Sequence, residues 1–166
     1  MFNRPVPLLL AGIALASAAI GGAWFSELGL GYVPCMLCLW QRIPYYVATV
    51  PAMAALALLA TGKAPRVLGG LALLLALIFL VSAGLGVFHA GVEWKLWAGP
   101  AGCGGRVELA APSFQDFQKS LQSARVVLCD EAPMRILGLS FAGWNAVASL
   151  IVAGLFARAA QLFRRR

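Results

Sequence analysis

Leu71-Ala72-Leu73-Leu74-Leu75-Ala76-Leu77-Ile78-Phe79-Leu80 is wholly apolar and sits at the centre of a longer apolar run, Val67 to Phe88. About 20 such residues suffice to carry an α-helix across hydrocarbon. A helix satisfies its own backbone hydrogen bonds, so it can cross lipid where irregular chain cannot. The run therefore reads as a transmembrane helix. Three further runs resemble it: Pro5 to Leu28, a stretch ending at Thr61, and Phe141 to Phe163. Composition agrees, since 61% of the 166 residues are hydrophobic and 11% charged, against about 45–50% and about 25% in soluble domains. Four spans use roughly half the chain at about 20 residues each, which leaves no room for a large soluble domain. The expected fold class is an all-α membrane protein. It is a four-transmembrane-helix bundle forming one domain over 1–166, with spans at about 5–28, 40–61, 67–88 and 141–163 and outer loops at about 29–39 and 90–140.

Two runs need comment. Small residues from Ala14 to Ala19 offer cleavage-like sites, so the first run could be a signal peptide. It is longer than the usual apolar core of such a peptide, and three similar runs follow, so it reads as a span. The second run contains Pro44 and Pro51. Proline removes a helical hydrogen bond and clashes with the preceding turn, so the span either starts near Pro44 or bends there, with a second bend at Pro51.

The net charge of +7 could suggest a nucleic-acid partner, but its distribution argues otherwise. Arg4, Lys63, Arg66, Arg158 and Arg164 to Arg166 fall on one side of a four-span bundle, with no acidic residue among them. On the other side Glu27 balances Arg42. In the long loop Lys95, Arg106, Lys119, Arg125 and Arg135 balance Glu93, Glu108, Asp116, Asp130 and Glu131. The positive side is cytoplasmic by the positive-inside rule. Both termini are then cytoplasmic, and the charge is a topology signal that needs no nucleic acid.

Cys35 and Cys38 follow the first span, and Cys103 and Cys129 follow the third. Two crossings separate the pairs, so all four cysteines face the outer, oxidising side, the periplasm of a bacterial inner-membrane protein. Four cysteines permit three pairings. They could be structural staples, a four-thiolate zinc site or exchange-active pairs. Zinc fits poorly because Cys103 and Cys129 are far apart and no second C-x-x-C exists, so no metal is expected. A Cys35–Cys38 bridge closes a tiny loop and is a poor staple. Near a helix start its thiolate would be stabilised by backbone N–H groups. Exchange chemistry is the better reading.

Arg42 lies one helical turn beyond Cys38 if the segment is helical from there. A cation at that place lowers a thiol pKa and faces negative charge on a bound electron acceptor. His89, the only histidine, falls at the same depth at the end of the third span. Trp40, Tyr45, Tyr46, Trp94 and Trp97 read as an interfacial aromatic belt. In the long loop Ser113-Phe114-Gln115-Asp116 is a capping box. Phe114, Phe117 and Leu121 continue it at helical spacing, as a short amphipathic helix lying on the membrane lipid. Cys103, among Gly102, Gly104 and Gly105, is placed for attack by a thiol of another protein.

Taken together, Pro34-Cys35-x-x-Cys38, Arg42, His89, Cys103, Cys129-Asp130 and Leu137-Gly138-Leu139-Ser140 on four spans resemble the DsbB family. These are membrane thiol oxidases that reoxidise DsbA. The match covers nearly the whole chain. His89-Ala90-Gly91-Val92-Glu93-Trp94, Arg42-Ile43-Pro44-Tyr45-Tyr46 and Trp144-Asn145 suggest a branch unlike the best-known member. The resemblance implies a protein-dithiol:quinone oxidoreductase in which Cys35, Cys38, Cys103 and Cys129 are catalytic. A DsbA-type partner attacks a Cys103–Cys129 disulfide at Cys103. Electrons pass to Cys35–Cys38 through a transient Cys35–Cys103 bridge. Cys38 then faces ubiquinone or menaquinone, with Arg42 and His89 beside it. DsbA is a strong oxidant, at about −120 mV, and in the known periplasmic system the sink that recharges it is a quinone. The rival readings are an oxidoreductase like vitamin K epoxide reductase, against which the cysteine order speaks, and a non-catalytic membrane adaptor braced by disulfides.

Overall fold

A computed structural model describes residues 4–62, 64–103, 113, 115, 118, 125–126 and 128–165. Four long apolar helices dominate it: α1 (Pro5–Leu28), α2 (Met36–Thr61), α3 (Pro65–Glu93) and α4 (Phe141–Arg164), each long and apolar enough to cross a membrane. The protein is an all-α, four-helix membrane bundle. The surface helix expected from Ser113 onward lies for the most part outside the described residues.

Local chemistry sets the helix limits. Proline occupies the first turn of α1 and α3, where its missing N–H costs nothing. Ser140 caps α4, its Oγ accepting from the Gly143 N–H at 3.2 Å. Two limits differ from the sequence reading. The second helix starts at Met36, not near residue 40, because Cys35 itself is the N-cap. Pro44 and Pro51 both lie inside this helix and are buried. The third helix continues past His89 to Glu93, which puts Glu93 one turn beyond His89 on the same face.

Helix α4 packs most extensively on α3 and also on α1, whereas α2 rests on α3 and barely meets α1. The core joins Leu9, Leu75, Phe79, Val152 and Phe156. Small residues allow close approach, as between lipid-embedded helices generally. A Cβ on Gly86 would lie 2.8 Å from the Ala146 backbone nitrogen, and one on Gly12 would lie 2.6 Å from the Phe156 ring. All four buried residues of α1, namely Pro5, Leu8, Leu9 and Gly12, fall in its first two turns. Its remaining length, from Ile13 to Leu28, carries no buried residue. Outward-facing Val50, Met53, Leu77, Val81 and Ile151 are exposed apolar side chains, as lipid contact requires.

Four short strands organise the cysteine end. β1 (Tyr32–Val33) pairs in parallel with β2 (Arg125–Val126), and β3 (Arg135–Ile136) pairs antiparallel with β4 (Leu139–Ser140). The β3–β4 turn, Leu137-Gly138, has φ of 51° and 83°, the two positive values that a tight primed turn demands. Trp97 stacks on Phe88 and donates to the Phe88 carbonyl at 2.9 Å. It lies against Gly91, where a Cβ would be 2.0 Å from the indole. Trp40, Tyr46, Trp94 and Trp97 are exposed, as an interfacial belt would be, but Tyr45 is buried. Its hydroxyl is committed to the interior, so it does not belong with the other four.

Candidate functional site

Because Cys35 caps α2, its sulfur accepts from the Cys38 N–H at 3.2 Å, and the two Sγ atoms lie 2.7 Å apart. The helix start thus brings the two thiols together and aims backbone donors at Cys35. Cys35 is fully buried in a cluster with Leu37, Val92 and Cys129, against which Tyr32, Cys38 and Cys103 pack. Cys103 and Cys129 form a disulfide with Cα atoms 5.6 Å apart. The β1–β2 pair explains how this loop disulfide reaches Cys35. Val33 is two residues before Cys35, its partner Val126 is three before Cys129, and the strands run in parallel toward both cysteines. A second tie is the Lys95 Nζ bond to Asp130 Oδ2 at 2.6 Å.

The ligating atoms of Cys35, His89 and Cys129 all lie within 4.8 Å of one another. This donor set would suit a soft metal, except that Cys129 is engaged in its disulfide. The same closeness serves thiol–disulfide exchange. The Cys129 sulfur lies within 4.8 Å of the Cys35 sulfur, whereas family likeness suggests an exchange with Cys103.

A directed hydrogen-bond chain holds His89. The Tyr45 hydroxyl donates to Asn145 Oδ1 at 2.7 Å, and Asn145 Nδ2 donates to Gln41 Oε1 at 2.7 Å. Gln41 Nε2 then reaches His89 Nδ1 at 2.6 Å. An amide nitrogen only donates, so Nδ1 is the acceptor and Nε2 carries the hydrogen. That Nε2 faces Cys35 Sγ at 3.7 Å and Glu93 Oε1 at 3.9 Å. Behind Tyr45, Ser149 bonds Ser82 at 2.9 Å, so the chain joins α2, α3 and α4.

Where the unburied length of α1 faces α2 and α4, a cavity of about 420 Å³ opens, within the 300–1,000 Å³ usual for small-molecule sites. Leu15, Ala19, Ala23, Phe141 and Ala148 give it apolar walls, and Cys38, Gln41, Arg42, His89, Glu93 and Asn145 place polar groups in it. Arg42 is buried, ion-paired with Glu27 and bonded to the Ala23 carbonyl at 3.3 Å. Its Cζ stands 5.3 Å from the Trp24 ring centroid, a cation–π contact. The charge balance between Glu27 and Arg42 read from the sequence is thus a direct ion pair.

The structure brings Cys35, Cys38, Cys103, Cys129, Arg42 and His89 to one end of the bundle. Sequence reasoning passed over Gln41, Asn145, Tyr45 and Glu93. Polar groups within apolar spans are rare unless functional, and Gln41 at i+3 from Cys38 and Glu93 at i+4 from His89 carried that signal.

The Cys35 thiol is pulled down to about 5, first by the hydrogen bond from Cys38 and then by His89, against the opposing effect of burial. With the loop disulfide intact and Cys35 and Cys38 reduced, one thiolate should therefore persist at pH 7 and be lost as pH falls through about 5. Ultraviolet thiolate absorbance measures this, and His89→Ala should move the midpoint upward. Titration only in the ordinary thiol range, about 8.5, would contradict the arrangement.

Residues 4–159 match the family model described as Disulfide bond formation protein DsbB. The chain is 34% identical over 143 residues to Disulfide bond formation protein B of Marinobacter nauticus, covering 81% of this chain and 80% of the relative. It is 27% identical over 145 residues to an uncharacterised protein of Rickettsia prowazekii, covering 86% and 80%. No solved structure matches significantly.

Proposed function

We propose, from the premise that this chain belongs to the DsbB family of disulfide-bond-forming proteins, that it is a protein-dithiol:quinone oxidoreductase. It takes electrons from a periplasmic DsbA-type dithiol and passes them through two cysteine pairs to ubiquinone or menaquinone. The carrying observation is the joint placement of the loop disulfide against Cys35 and of Cys38 in the cavity. The protein is a multi-pass membrane protein. In our reading it lies in the bacterial inner membrane with both termini cytoplasmic, because Arg4, Arg66, Arg158, Arg164 and Arg165 all stand at the helix ends away from the cysteines.

The nearness of Cys129 to Cys35 supports the following relay. A partner thiolate attacks Cys103 and releases the Cys129 thiolate. Cys129 attacks Cys35 of an oxidised Cys35–Cys38 pair, forming Cys35–Cys129 and freeing Cys38 toward the cavity. The partner's second thiol then displaces Cys103 and leaves as a disulfide. Cys103 recloses on Cys129, so Cys35 and Cys38 end as the dithiol. Every step is an exchange in which one S–S bond forms as one breaks.

The cavity fits a quinone on its own terms, with mostly apolar walls, a volume of about 420 Å³ and hydrogen-bonding groups from Gln41, Arg42, His89 and Asn145 among its lining. When bound, a quinone supplies a sink for two electrons and two protons. Arg42, backed by the Trp24 ring, lines the cavity and would orient the bound group, His89 holds Cys35 through Nε2, and the apolar walls exclude water. The test is purified-protein turnover of a reduced DsbA-type protein with added quinone, followed by loss of quinone absorbance. Arg42→Ala should raise the quinone KM about tenfold, roughly the value of one charge-assisted contact. Partner oxidation without quinone consumption would defeat the proposal.

A further inference from the structure

Glu93 is the buried acid that the thiol relay does not use. Its side chain is 3% exposed, it lines the cavity with Cys38 and His89, and its Oε2 has no hydrogen-bond partner among the described residues. An unpartnered buried carboxylate oxygen carries an uncompensated desolvation penalty unless something occupies it. The charged pair nearby is already closed, since Arg42 is joined to Glu27. His89 cannot act as the base in this arrangement. Its Nδ1 accepts from Gln41, so its Nε2 already carries a hydrogen and offers no lone pair.

The geometry points to Glu93 as the proton carrier between the Cys38 thiol and the electron acceptor in the cavity. This inference rests on the proposed quinone reduction. With Cys35 a thiolate at neutral pH, oxidation of the Cys35–Cys38 pair breaks one S–H bond, that of Cys38, forms one S–S bond and sends two electrons to the acceptor. Two protons must follow them to the acceptor's two carbonyl oxygens. Glu93 takes the proton of Cys38 and returns it to the near oxygen, while the second proton is drawn from solvent. His89, fixed by Gln41 and Asn145, holds the Cys35 sulfur by donation and takes no proton itself.

Two measurements test this, with Glu93→Gln and Glu93→Asp. In turnover with a reduced DsbA-type protein and a short-chain ubiquinone, Glu93→Gln should lower kcat about a hundredfold, as loss of a general acid–base group does. It should still form the partner–Cys103 mixed disulfide at the wild-type rate, and Glu93→Asp should recover part of the loss. In quinone-free protein, the infrared difference between the Cys35–Cys38 disulfide and dithiol states should contain a carboxyl band that shifts in D2O and disappears in Glu93→Gln. Wild-type kcat in Glu93→Gln, or an infrared difference unchanged by it, overturns the inference. A wild-type protein that reduces no quinone overturns the proposed function instead, and the infrared comparison then still decides on Glu93.

Discussion

Cys38→Ala is expected to abolish turnover with quinone while leaving a diagnostic linkage behind. With Cys38 gone, Cys35 has no partner in its own motif. Its thiolate stands beside the Cys103–Cys129 disulfide, with Cys35 and Cys129 sulfurs within 4.8 Å. Attack on Cys129 joins Cys35 to Cys129 and frees Cys103, with no oxidant needed. Peptide mapping without reduction should recover a Cys35–Cys129 peptide from this variant, together with an alkylatable Cys103. Quinone reduction should fall to background, because the thiol facing the cavity is absent. Recovery of Cys35–Cys103 in its place would restore the route that family likeness suggests, and the β1–β2 pair would then have no part in selecting Cys129.

Gly86→Val is expected to be the most damaging substitution away from the cysteines. The added Cβ would stand 2.8 Å from the Ala146 nitrogen. That atom is backbone within a helix and cannot rotate aside, so α3 and α4 must separate. Overpacking of this kind costs about 1–3 kcal/mol, which corresponds to a fall in Tm of roughly 2–12 °C for a chain of this size. Activity should fall as well, since Ala146 adjoins Asn145 and Gly86 lies one turn before His89. Gly84→Val is the matched control. It lies on the same helix with nothing within 4 Å of its Cβ position, and its Tm should be nearly unchanged. Equal behaviour of the two variants would mean that α3 and α4 do not pack closely at Gly86.

The four spans are legible in the sequence because a lipid-crossing helix must be apolar over a fixed length, a signal that depends on no distant contact. The start of α2 is not. Pro44 points to a boundary, but the helix begins at Met36 because Cys35 serves as its cap, and sulfur is not among the usual capping atoms. Counting crossings puts the four cysteines on one side, yet it cannot say which sulfur meets which. That depends on a two-residue parallel pairing between segments about ninety residues apart, too short to leave a pattern. Arg42 is legible as a lone cation near the motif, and its pairing with Glu27 follows only once α1 and α2 are placed. Tyr45 reads as one more interfacial aromatic, and only its bond to Asn145, 100 residues away, assigns it to the interior. Glu93 reads as a loop residue because His89 looks like the end of its helix.

The pairing of β1 with β2 also bears on the speed of the inner step of the proposed relay. Two thiol groups on separate mobile loops would meet by diffusion, at a rate set by how often the loops sample one another. Both cysteine segments belong to one chain, so the encounter is intramolecular in either case, and strands that hold them in register raise its effective concentration above the millimolar order of a flexible link. In the proposed relay the inner transfer is thus faster but unchanged by dilution of the protein in the membrane, and of its thiol steps only the meeting with the proposed dithiol partner responds to concentration.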